Sequence, residues 1–266
     1  MKKLLYWSKS YLLPLCLVLV LGLMSCEENH IEPVNDDESV TVETESFVYH
    51  YNNKRYDVDE WKSQFGSIEG KSVVMVNDHI LVYDKAKEAR NMGEIVQKKL
   101  KGDKLNNSEI MRSAVLVDII SGYDGSDPYS YAFRLNYYQH KNSSGDYLTI
   151  FVGKKISVRS WDNRISNNSG LMNFPSDWRN IASSYQFEYI ESPRIPAIYP
   201  GAPNRELLLN IKTYSGLNAD GVDWNKTLSG RGATNSDGDL SNNRIWGSLG
   251  IGNWNDQFES VKYKVH

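Results

Sequence analysis

W-R-N-I-A-S-S-Y-Q-F-E-Y, Trp178 to Tyr189, decides how the chain is read, because W-N-D-Q-F-E-S-V-K-Y-K-V, Trp254 to Val265, repeats its pattern. Trp178 lies over Trp254, Asn180 over Asp256 and Ser184 over Ser260. After each serine the large residues alternate (Tyr185, Phe187, Tyr189 and Val261, Tyr263, Val265), the period of a half-buried strand. Working outward, each copy is preceded by a predicted hairpin: Arg134 to Ile150 in the first half and Ile195 to Leu209 in the second. Gly145 marks the first turn, and no equivalent glycine stands near Arg205. Between opening and close sit D-N-R-I-S, Asp162 to Ser166, and N-N-R-I-W, Asn242 to Trp246. The three pieces keep their order in both halves, which marks an internal repeat and ties the fold to it. On this alignment Asn210 to Ser241 is an insertion in the second half.

The doubled Trp-led corner and the tyrosine-bearing hairpins resemble the βγ-crystallin family. The resemblance implies an all-β Greek-key sandwich over residues 131–266, built of two motifs. It also implies calcium loops that pair crosswise, one giving side-chain and carbonyl oxygens and the other a hydroxyl. Carried onto this chain, one set is Ser183 with Asp256 and the Gln257 carbonyl. The other is Glu259 with Asn180 and the Ile181 carbonyl. Glu259 stands where the family has Ser or Thr, and Arg179 puts a cation beside the second set. Few carboxylates converge, so calcium affinity is expected to be micromolar or weaker. The alternative is structural: Asn, Asp and Ser at these places also fix turns through their own backbone.

The N-terminus reads as targeting, not structure. Lys2 and Lys3 precede an apolar stretch, Tyr11 to Met24, too short to span a bilayer comfortably. It ends in L-M-S-C, similar to a bacterial lipoprotein signal in which Cys26 carries the lipid and residues 1–25 are removed. Cleavage near Ser25 as an ordinary signal, or an uncleaved anchor, is the alternative. Cys16 and Cys26 are the two cysteines, so a chain starting at Cys26 has no disulfide, and its stability rests on packing. Removing residues 1–25 takes three lysines and no acid, lowering the net charge from −3 to −6. Residues 27–46 are acidic without Lys or Arg and read as an extended tether. The expected location is the envelope of a Gram-negative bacterium, anchored to the outer membrane, with surface exposure one reading of Glu27 and Glu28. The mildly acidic balance predicts no nucleic-acid face.

Residues 47–101 predict a small α+β unit. It has an Asn52–Asn53 hairpin, a helix capped at Asp57 with Glu60, and a strand pair turning at Asn77–Asp78. A helix with Ala86, Ala89, Met92, Val96 and Leu100 on one stripe completes it. Residues 102–130 read as a linker, with Ser113 to Ile120 as one apolar strand. Gly70-Lys71-Ser72 lacks the first glycine of a phosphate loop, and no metalloprotease or nucleophile-elbow motif is present. The five histidines are scattered along the sequence, which argues against zinc. Three functional readings follow: a non-enzymatic anchored binding or structural module, a peptidase inhibitor presenting the Asn210–Ser241 insertion as a loop, and a glycan-binding surface protein using Trp161, Trp224 and Trp246. The protein or glycan partner is unknown.

Overall fold

The computed structural model describes residues 47–112, 114, 116–119, 123, 125–158, 165–166, 168–195, 205–221, 223–242, 244–247, 250–253 and 257–266. The expectations at Cys26, the signal, the acidic tether, Trp161, Trp254 and Asp256 lie outside these residues, as does the Trp246 side chain. β1 (Val48–Tyr51) and β2 (Lys54–Tyr56) turn through Asn52 and Asn53, at φ 50° and 63°. That is the backbone a tight two-residue hairpin needs, and Asn tolerates it. α1 (Val58–Phe65) starts at Asp57, whose carboxylate accepts from the Glu60 amide while Glu60 accepts from the Asp57 amide. Its buried Trp61 stacks on Tyr49 with ring centres 4.9 Å apart. β3 (Ser72–Val76) and β4 (His79–Tyr83) pair across Asn77–Asp78. α2 (Ala86–Lys101) buries Ala89, Met92, Val96 and Leu100, leaves Ala86 half-buried, and ends at Gly102 in the left-handed region.

The segment after α2 departs from expectation. The described part of the predicted strand Ser113 to Ile120 is helical: α3 (Asn107–Arg112) is followed by a helical turn, α4 (Leu116–Ile119). Leu116 and Ile119 are both buried, a spacing that fits a helix. A short apolar run fits either period, and here the buried spacing of three wins. Asn106 and Glu109 form a second reciprocal cap, each side chain accepting from the other's amide.

The rest is mostly β. The first half supplies β5 (Ser130–His140), β6 (Ser144–Lys155), the short pair β7 (Ser157–Val158) and β8 (Ile165–Ser166), β9 (Ser169–Asn173) and β10 (Ser184–Glu191). β11 (Arg194–Ile195) and β12 (Arg205–Glu206) follow as a two-residue ladder. The second half supplies β13 (Leu208–Tyr214), β14 (Asp223–Ser229), β15 (Thr234–Asp237), the pair β16 (Arg244–Gly247) and β17 (Gly250–Asn253), and β18 (Ser260–Val265). One sheet has eight strands in the order β15-β10-β5-β6-β3-β4-β1-β2, and the other has four, β14-β13-β18-β9. Parallel pairing of β3 with β6 runs the N-terminal strands into the larger sheet without a break. The boundary drawn at 101/131 therefore does not interrupt the sheet. The two sheets face each other through aromatic rings. Phe133 meets Tyr263 at 4.8 Å, Tyr137 meets Phe174 at 4.8 Å and Phe258 at 5.6 Å, and Tyr185 meets Trp224 at 4.8 Å.

The halves correspond, but not as first aligned. β9, from the first half, pairs with β18; β15, from the second, pairs with β10. The turn after β5 is Y-Q-H-K-N-S-S-G, Tyr138 to Gly145, and the turn after β13 is Y-S-G-L-N-A-D-G, Tyr214 to Gly221, a step of 76 positions. The same three places carry positive φ: Asn142, Ser143 and Gly145 at 58°, 57° and 81°, and Asn218, Ala219 and Gly221 at 56°, 60° and 78°. Gly145 is required doubly, since a Cβ there would sit 2.6 Å from the His140 ring. These findings correct the second half. Its hairpin is β13–β14, not Ile195 to Leu209, and Gly221 is the counterpart of Gly145. Asn210 to Ser241 is not an insertion but supplies most of β13 and all of β14 and β15. D-N-R-I-S enters β8 before the third strand of its half, and N-N-R-I-W enters β16 after the third strand of its own, so they are not equivalents.

Candidate functional site

The corner loops are positioned by the two serines that open β10 and β18. Ser184 Oγ donates to the His140 carbonyl (2.7 Å) and accepts from the Ser143 amide (3.1 Å). Ser260 Oγ donates to the Gly216 carbonyl (2.5 Å) and accepts from the Ala219 amide (3.2 Å). Both serines are fully buried. The residue before each is tied as well: the Ser183 amide donates to the Tyr138 carbonyl and the Glu259 amide to the Tyr214 carbonyl. Each turn is thus folded back onto its own fourth strand by three hydrogen bonds at matching positions.

Trp178 is buried in a 3-10 turn, Ser176–Trp178, and its indole N–H donates to the Lys71 carbonyl at 3.3 Å. Asp177 accepts from the Ile68 amide at 2.6 Å, so the loop before β3 grips this corner. Between them lies a cleft of about 220 Å³ whose wall includes Glu69, Asp146, Arg179 and Ile181. Arg179 Nε donates to the Phe174 carbonyl at 3.1 Å. Asn180 sits at φ 60°, exposed, with its amide N–H donating to the Phe258 carbonyl (2.9 Å) and its side-chain Nδ2 to Glu259 Oε1 (2.7 Å).

Of the expected ligand sets, Asn180 and Glu259 are brought into direct contact, with Ile181 next to Asn180 and half-buried. Ser183 is buried and its carbonyl accepts from the Leu240 amide at 3.0 Å; Gln257 is exposed. Among the described residues no group of three or more His, Cys, Asp and Glu gathers as for a metal. The acids after β15 serve their own loop. Asp239 accepts from Ser241 and pairs with Lys141 at 2.9 Å, contacts that hold its carboxyl below the usual range, and Asp237 accepts from the Asp239 amide.

Two residues escaped the sequence reading. His50 on β1 and His79 on β4 are 29 positions apart, yet parallel pairing of these strands brings His50 Nε2 within 2.9 Å of His79 Nδ1. Burial is the first cause, with His79 and then Arg55 adding to it, that lowers the His50 pKa to about 4; His79 is lowered too, by burial and then Arg55, with Asp78 opposing. The only sequence signal was their position in strands of one small unit. Gly70-Lys71-Ser72 is no phosphate cradle: Lys71 Nζ binds Asp84 at 2.5 Å, and Ser72 lies in β3, hydrogen-bonded to Asp146 at 3.2 Å. No family model, curated protein or solved structure matches the chain.

Proposed function

We propose that the chain is a non-enzymatic, lipid-anchored cell-envelope protein whose residues from Tyr131 onward form a βγ-crystallin-like double Greek key that binds calcium weakly at its paired corners. The exchange of third strands between the two halves is the observation that carries this reading, because it draws each corner against the other half. The contact of Asn180 with Glu259 is one such crossing. Calcium would be held there by the Asn180 side-chain oxygen, the Ile181 carbonyl and the Glu259 carboxylate. At the other corner it would be held by Ser183, Asp256 and the Gln257 carbonyl. These oxygen donors fit a hard cation, and one carboxylate per set fits weak affinity. In the first set Asn180 must exchange its N–H contact with Glu259 for an oxygen contact with the ion. The ion would supply a cross-link between the halves, not a reaction.

The inhibitor reading loses a continuous protruding loop, since Asn210 to Ser241 is divided by β13, β14 and β15. The glycan reading through exposed tryptophans loses Trp224, whose ring packs on Tyr185 and at 5.5 Å from Phe258.

Thermal unfolding of the full chain in calcium and in chelator tests the metal. Calcium at ten times its dissociation constant adds about 1.4 kcal/mol, a rise of roughly 3–6 °C in Tm, and Glu259→Ala together with Asp256→Ala removes it. An unchanged Tm at millimolar calcium overturns this part of the reading. The anchor is tested separately by mass spectrometry of the membrane fraction. A diacylglyceryl mass on Cys26 is expected, and it is lost in Cys26→Ser; an unmodified Cys26 in the membrane fraction refutes the lipid anchor.

A further inference from the structure

The larger sheet has a second face, turned from the aromatic core and covered by α2. A sheet face under a helix is ordinarily apolar. Here strand alternation puts Arg134, Asn136 and Tyr138 of β5 on it, beside Tyr147 and Thr149 of β6 and Gln186 and Glu188 of β10. In register, Gln186, Asn136 and Thr149 form one cross-strand row. All of these but Glu188, together with α2, line a cleft of about 170 Å³.

The floor is rigid. Thr149 Oγ1 donates to Asn136 Oδ1 at 2.6 Å, and both residues are buried. One end is closed by a charged network: Arg134 Nη1 donates to Gln97 (2.9 Å) and Nη2 to Glu188 (2.8 Å), and Glu188 also takes Gln97 and Lys101. These bonds fix the guanidinium and leave its buried Nε–H without an acceptor. Leaving such a donor unpaired costs about 1–3 kcal/mol unless a partner arrives. Over the floor, α2 carries Gly93 in its middle, where glycine costs about 1 kcal/mol against alanine. A Cβ at Gly93 would come 3.4 Å from the Tyr147 hydroxyl, ordinary contact, so the helix passes directly over that oxygen. Arg90 lies over the Tyr147 ring, 5.6 Å from its centre, and its Nη2 makes only a long contact of 3.5 Å with the Gly145 carbonyl. The Tyr138 and Tyr147 rings stack at 5.9 Å.

Arg90 and Arg134 line the cleft with one carboxylate, Glu94, while Glu188 behind Arg134 is shared with Lys101, so the cleft carries one excess positive charge in a chain of net charge −3. Amide, hydroxyl and guanidinium groups of both donor and acceptor type line it. The volume is below the roughly 300–1,000 Å³ of sites for drug-sized ligands, which limits the occupant to a single small ring. No nucleophile with an adjacent base is among the lining residues, and the cleft reads as a binding site.

We propose that this cleft binds one acidic sugar ring of the uronic-acid class, its carboxylate toward Arg90 and Arg134 and its hydroxyls toward Asn136, Gln186 and the two tyrosines. The proposal goes beyond the calcium and anchor readings and stands without either.

Isothermal titration calorimetry of the full chain in detergent, with D-glucuronate, D-galacturonate, D-glucose and acetate, tests it. At least one uronate binds, and about tenfold or more tighter than glucose or acetate, as loss of a charge-assisted bond or of several hydroxyl bonds implies. Arg90→Gln, on the helix surface, weakens the uronate by about tenfold with Tm unchanged; Gln186→Ala is the second variant if Arg90→Gln misfolds. A galacturonate trimer separates the sources: equal or tighter binding means the end of a chain, and exclusion means the free sugar. No heat with either uronate, equal binding of glucose or acetate, or full affinity in both variants overturns the proposal.

Discussion

Ser184 and Ser260 show what a single hydroxyl does in this fold. Each satisfies one carbonyl and one amide of a turn whose backbone has three residues at positive φ. Removing either hydroxyl strands two polar groups at a fully buried site, so Ser184→Ala and Ser260→Ala should each cost about 1–3 kcal/mol in urea unfolding. Ser236→Ala, at an exposed position of β15, should change stability by less than about 0.5 kcal/mol. The pairing of these serines was legible in the sequence as part of the repeated corner. Their acceptor turns were only half legible, because Y-Q-H-K-N-S-S-G and Y-S-G-L-N-A-D-G share just Tyr, Asn and Gly. The histidine pair gives a pH dependence. Both imidazoles are held below their ordinary pKa in the folded chain, so the unfolded chain binds more protons. Their contribution is complete above the unfolded value of about 6.5. It is lost as pH falls from there toward about 4, where folded His50 itself protonates. The urea midpoint should therefore drop between pH 7 and 5, and His50→Gln should flatten that slope; an unchanged slope refutes the assignment.

At the scale of elements, local chemistry was readable and partnership was not. Asp57 with Glu60, the Asn52–Asn53 turn and the stripe on α2 follow from side-chain bonding and period, which need no knowledge of the neighbours. β13 is not legible although its buried residues Leu209, Ile211 and Thr213 alternate, because the predicted hairpin Ile195 to Leu209 ends where this strand begins. α4 was misread because eight apolar-rich residues fit two periods. The site followed the same rule. Asn180 and Glu259, set side by side only by the family resemblance, share a hydrogen bond, and His50 with His79 and the row Gln186–Asn136–Thr149 arise from strand neighbours far apart in sequence.

Over the whole molecule, the parallel joint between β3 and β6 is decisive. The described residues make one compact unit, and without β3 the edge of β6 would show an unpaired row of Val73-to-Val76 partners, Leu148 to Phe151. Three of those four side chains, Leu148, Ile150 and Phe151, are apolar and fully buried, which makes a bare edge prone to association. Unfolding followed by circular dichroism and by tryptophan fluorescence should give coincident curves for the full chain. A fragment from Tyr131 onward should unfold at lower urea or aggregate; a fragment as stable as the full chain would contradict this.

The strand exchange also has a consequence in time. β9 ends at Asn173, and the strand that pairs with it, β18, begins at Ser260. During synthesis about 90 further residues must leave the ribosome before β9 finds its neighbour, a wait of roughly 4–18 seconds at 5–20 residues per second. Throughout that interval the nascent first half is a four-strand set lacking a seat for its third member. Chaperone capture has its window there, because the exchanged strands cannot close until β18 has emerged.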